Sequence, residues 1–87
     1  MATRIAMENI TFQPSRVTVR AGTTVTWENR DSVPHTVTAG TRGSPSGRFD
    51  SGNVNAGQTF AFTFEQPGTY DYFCSIHPGM DGAVVVE

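Results

Sequence analysis

Apolar residues in this chain recur at every second position in short runs. Val17 and Val19, Val25 and Trp27, and Phe60, Phe62 and Phe64 each alternate with Thr, Glu or another small residue. A period of two sends successive side chains to opposite sides of an extended backbone, so each run reads as a strand with one buried face. No segment sustains a helical period over three turns. The candidate strands are Arg4 to Met7, Val17 to Arg20, Thr24 to Glu28, His35 to Thr38, Thr59 to Phe64, Thr69 to Phe73 and Ala83 to Val86, with Gly, Pro and Asn punctuating the gaps. Seven or eight short strands at this spacing predict an all-β, two-sheet Greek-key β-sandwich.

Two segments refine that picture. In Tyr70-Asp71-Tyr72-Phe73-Cys74 the alternation turns Tyr70, Tyr72 and Cys74 inward, with Asp71 and Phe73 on the opposite face. A cysteine is thus aimed at the interior from a strand's end. Gly40 to Gly57 holds five glycines, three serines and Pro45 among eighteen residues. It reads as a surface loop, solvated and partly mobile, with room for a short edge strand or a turn of helix; the alternative reading makes Arg42 and Arg48 contacts for an acidic partner.

Length and composition bound the rest. Eighty-seven residues make one domain, residues 1–87, whose core is barely sufficient without a staple. The single cysteine cannot form an internal disulfide, which makes a metal the more natural staple. The net charge is -2 and the six basic residues, all arginine, are scattered, so nucleic acid is not expected as a partner. No apolar run approaches a membrane span, and Met1 to Phe12 lacks the pattern of a signal peptide, as expected of a mature domain without its leader.

The chemistry concentrates in Cys74-Ser75-Ile76-His77-Pro78-Gly79-Met80. A thiolate, an imidazole and a thioether lie within seven residues, and the one other histidine, His35, follows Pro34. Soft sulfur donors beside imidazoles select copper over hard cations, and two histidines, a cysteine and a weak axial methionine make the donor set of blue-copper sites. Pro78 fixes one backbone angle and Gly79 permits the sharp return that brings Met80 back to the metal.

From about Val17 to Val86 the sequence resembles the cupredoxins, and within them the plastocyanin and amicyanin group. The resemblance rests on Val25-Thr26-Trp27-Glu28-Asn29-Arg30 leading to Pro34-His35, on Pro67-Gly68-Thr69-Tyr70-Asp71-Tyr72 leading to Cys74, on Cys-x2-His-x2-Met, and on the closing Gly82-Ala83-Val84-Val85-Val86. The two-residue gap between His77 and Met80 is similar to that of amicyanin. The resemblance implies one type 1 copper, cycling between Cu(II) and Cu(I), bound by His35, Cys74 and His77 with Met80 as a long axial ligand. It also implies that Asn29 ties the first histidine's strand to Ser75. The chain departs from the amicyanin pattern at Ile76, where a proline often precedes the second histidine.

The expected function is that of a soluble, monomeric, extracytoplasmic electron carrier, periplasmic or at the cell surface, without enzymatic activity. Electrons would pass through the exposed edge of His77. Val33, Pro34, Pro78 and Gly79 would form an apolar docking patch for transient redox proteins. Phe73, turned outward beside Cys74, is a candidate second exit. Copper delivery is the alternative from another class, but delivery sites usually expose an exchangeable metal, whereas this set is compact. A zinc hydrolase or a Cys-His nucleophile fits less well, because catalytic zinc rarely takes methionine and so small a domain has little room for a substrate pocket.

Overall fold

Alternation is strictest in Thr23–Asn29: Thr23, Val25, Trp27 and Asn29 are buried, while Thr24, Thr26 and Glu28 between them are half-exposed. This is the fourth of nine strands in a computed structural model that describes residues 2–87. The strands are β1 (Ala2–Glu8), β2 (Thr11–Gln13), β3 (Arg16–Val19), β4 (Thr23–Asn29), β5 (Thr38–Thr41), β6 (Ser44–Asp50), β7 (Thr59–Phe64), β8 (Gly68–Phe73) and β9 (Asp81–Val86). There is no helix among the described residues, hence none long and apolar enough to cross a membrane.

The strands form two sheets, ordered β2-β1-β4-β7 and β3-β9-β8-β5-β6. The pairs β1/β4 and β3/β9 run parallel and all others antiparallel. The chain therefore crosses between sheets repeatedly, as a sandwich requires. Apolar faces of both sheets meet around Trp27, whose ring lies 5.3 Å from Tyr72, 5.8 Å from Phe60 and 6.2 Å from Phe49 by centroid. Phe12 and Phe64 close the cluster against Tyr72 and Trp27. This is the all-β sandwich the alternation predicts.

Three details differ from that expectation. The strand count is nine, because β2 and β6 carry too few apolar residues to show a period. In β6 only Phe49 is buried. As the outer strand of its sheet it has a single neighbour, so its remaining residues can be polar, glycine or proline without exposing a core. Much of the expected Gly40 to Gly57 loop is thus a hairpin. Finally, β5 begins at Thr38, and His35 precedes it in an isolated bridge with Val54.

Candidate metal centre

Asn29 ends the buried face of β4 and organises the turn that follows. Its Nδ2 donates to the carbonyls of Val33 and Val54, both at 2.8 Å, and its Oδ1 accepts from the Asp31 N–H at 2.9 Å. This pins residues 30–34 and delivers the chain to His35, whose backbone exchanges two hydrogen bonds with Val54 at 3.1 and 2.7 Å. His35 is fully buried at the crossover from one sheet to the other.

Cys74 stands just past the end of β8, also fully buried. The loop that begins there returns to its start, because the Cys74 N–H donates to the Met80 carbonyl at 2.9 Å and the Met80 N–H to the His77 carbonyl at 3.3 Å. Gly79, at φ +88°, makes the reversal between Pro78 and Met80, a conformation costly for residues with a Cβ. Pro78 and Gly79 are exposed, Met80 is buried, and His77 is half-buried.

The two elements bring His35, Cys74 and His77 together. Nδ1 of His35 lies 3.2 Å from Nδ1 of His77, and Sγ of Cys74 lies 3.8 and 3.7 Å from these two nitrogens. An ion held about 2.0–2.1 Å from nitrogen and about 2.3 Å from sulfur at the centre of a trigonal set needs edges of about 3.5 and 3.8 Å. The observed triangle fits. The protonation pattern fits as well: His35 Nε2 is 2.8 Å from Asp31 Oδ2, and a carboxylate calls for N–H there, which leaves Nδ1 as a lone pair facing the sulfur. Two imidazole nitrogens and a sulfur at these separations suit a cation between them, and the sulfur suits a soft one.

Neighbouring groups complete the site. The Thr36 N–H points at the Cys74 sulfur, 3.3 Å away, and so fixes its place. Asp31 also accepts from the N–H groups of Asn9 and Ile10, each at 2.9 Å, where both residues have φ near +56°. Burial raises the Asp31 pKa, but the hydrogen bonds from Ile10, His35 and Asn9 outweigh it and hold the carboxyl below 3.8.

Two expectations about the surroundings are corrected. Asn29 does not reach Ser75; the Ser75 N–H donates instead to Thr36 Oγ1 at 2.8 Å, and the two hydroxyls lie 3.1 Å apart. Thr36 follows His35 directly and so is better placed to join the two ligand segments. Phe73 is not turned to solvent: the residue is only 4% exposed, and the Arg42 guanidinium lies over its ring, 5.1 Å from the centroid. Pro34 is half-buried and Val33 exposed; among the described residues Ile10 and Ile76 are the other large apolar side chains left open to solvent. Asp31, Thr36, Arg42 and Ile10 escape a reading of the sequence because polar and loop residues carry no period. Short offsets could have flagged two of them: Asp31 four residues before His35, and Thr36 one after.

The family model for copper binding proteins of the plastocyanin/azurin family matches residues 1–87. Amicyanin-alpha from Methylorubrum extorquens is 36% identical over 86 residues, covering 99% of this chain and 72% of that protein. Plastocyanin from Scenedesmus fuscus is 37% identical over 86 residues, covering 90% of this chain and 88% of the relative. Among solved structures, a purple cupredoxin from Nitrosopumilus maritimus superposes with a TM-score of 0.89 at 34% identity, covering 98% of this chain and 99% of the other.

Proposed function

Because the chain belongs to the plastocyanin/azurin family of copper-binding proteins, we propose that His35, Cys74, His77 and Met80 hold one copper ion and that the protein carries single electrons between transient protein partners. The observation that carries this reading is the triangle of two Nδ1 atoms and one buried sulfur, with edges of 3.2, 3.7 and 3.8 Å. Bound copper supplies the one-electron chemistry by alternating between Cu(II) and Cu(I).

The chain's residues set the conditions for that exchange. Asp31 fixes the His35 ring and its tautomer, and Asn29 fixes the turn that presents it. The Thr36 N–H steadies the Cys74 sulfur, and the Thr36 hydroxyl holds Ser75. Ligands anchored in this way on two packed sheets move little, which suits a donor set shared by both oxidation states. Burial of His35, Cys74 and Met80 excludes water from three sides. Met80, buried at the loop's return beside Cys74, would supply a thioether to the same ion.

His77 alone among the four reaches the surface, so its ring edge is the route for electrons. Ile76, Pro78 and Gly79, its neighbours in the loop, are exposed, Val33 and Pro34 just before His35 are exposed and half-buried, and these residues would make an apolar docking face, with the exposed Ile10 on the turn that Asp31 holds. A small apolar face of this kind supports weak, quickly dissociating encounters. An extracytoplasmic workplace and a monomeric state belong to the same reading. The protein is an electron carrier and not an enzyme.

Voltammetry with a Cu(I) competition assay tests this against copper delivery. A reversible one-electron couple with slow release of Cu(I) to a chelator is expected. Rapid release without a reversible couple would point to delivery instead.

A further inference from the structure

The side chain of Arg42 occupies a position that none of the ligand contacts above explains. It leaves the turn between β5 and β6 and reaches across to the ligand loop. Nη1 donates to the Cys74 carbonyl at 2.9 Å, and Nη2 to the Met80 carbonyl at 3.4 Å and to Asp81 Oδ1 at 3.0 Å. Its guanidinium also covers the Phe73 ring. One side chain thus touches both ends of the segment from Cys74 to Met80 and the residues flanking it on either side.

We propose that Arg42 is a positioning residue for the ligand loop, a clamp that holds the backbones of Cys74 and Met80 at their present spacing. The proposal rests on the copper reading for its purpose, though not for its geometry. Arginine suits the task because its planar fork offers several donors in a fixed arrangement, so one group serves two carbonyls and a carboxylate together. A charged donor makes the stronger hydrogen bond, and the Phe73 face below limits the guanidinium's freedom.

The backbone closure from Cys74 N–H to Met80 carbonyl is a single hydrogen bond, and the clamp works in parallel with it. The hairpin that carries Arg42 is built closely enough to aim it. A Cβ on Gly40 would stand 2.4 Å from the Ser46 nitrogen and 2.7 Å from the Ser44 oxygen, so only glycine lets β6 approach here. A fixed positive charge beside the site also favours the less positive metal state, Cu(I), and so raises the reduction potential.

The test compares Arg42→Gln and Arg42→Lys with the parent protein in two measurements. The first is amide hydrogen exchange in the metal-free protein. Exchange at Cys74 and Met80 should quicken about tenfold in both variants while amides of β4 stay unchanged. The second is Cu(I) affinity by chelator competition, which should fall about tenfold. The reduction potential should fall in Arg42→Gln and stay nearer the parent value in Arg42→Lys, which keeps the charge. Unchanged exchange at Cys74 and Met80, or faster exchange with unchanged Cu(I) affinity, overturns the proposal. Faster exchange in a protein whose parent binds no copper supports the clamp and refutes the copper reading, because the first measurement needs no metal.

Discussion

Asp31 joins two things that the chain separates by about twenty-five residues, the turn at Asn9 and Ile10 and the ring of His35. Ile10 is β-branched and sits at φ +56°, a conformation such residues rarely adopt unless neighbours hold them there. Asp31→Ala should therefore cost on the order of 2 kcal/mol in urea unfolding of the metal-free protein and weaken copper binding about tenfold. Tyr72 gives a pH signature independent of metal. Its hydroxyl is buried without a hydrogen-bond partner, and burial pushes its pKa up to about 12, outweighing the nearby Trp27 N–H, which lowers it. A group whose folded pKa lies above its unfolded value of 10.0 contributes stability below that value and loses it as pH rises toward about 12. Unfolding free energy should accordingly fall by on the order of 1 kcal/mol per pH unit above about pH 10. Tyr72→Phe should lack that fall and match or exceed the parent at neutral pH. At this scale the ligands were legible in the sequence, since Cys, His and Met donors are rare and their spacing is short. The groups that orient them were not, because a hydrogen bond from Asp31 or Thr36 depends on a fold that brings distant residues together.

Strand β4 shows how much the elements owe to alternation. Its buried face runs Thr23, Val25, Trp27, Asn29, so the same pattern that builds the core ends in the residue that shapes the first ligand's turn. Such strands are visible in the sequence because one face is apolar. Strand β6 is invisible for the opposite reason, having one partner and one buried residue. His35 was expected within a strand but stands in a bridge before β5, which frees its backbone to pair with Val54 at the sheet crossover. The pairing of β8 and β9 also sets a steric condition: a Cβ on Gly82 would lie 2.5 Å from Tyr72 Cζ and Oη. Gly82→Ala should therefore force the Tyr72 ring out of place and cost about 1–3 kcal/mol, read by chemical denaturation with near-ultraviolet circular dichroism reporting the aromatic packing.

Taken whole, the molecule places the four proposed ligands on two connections, His35 on the crossover from β4 to β5 and the other three between β8 and β9. Metal at that point ties together segments about forty residues apart, in a chain whose one cysteine is buried and free. Binding to the folded state alone stabilises it by mass action, about 4 kcal/mol when free metal is a thousandfold above Kd. The thermal midpoint should rise by more than 10 °C on loading, since about 1 kcal/mol moves a domain of this size by 4–8 °C. The central claim is that Cys74 and the two histidines bind copper as a blue-copper site, and the visible and EPR spectrum of the Cu(II)-loaded protein tests it most directly. The account predicts an intense visible thiolate-to-copper band with narrow copper hyperfine splitting, both lost in Cys74→Ser. A pale protein with the EPR spectrum of ordinary tetragonal Cu(II), or a band that survives Cys74→Ser, would contradict it.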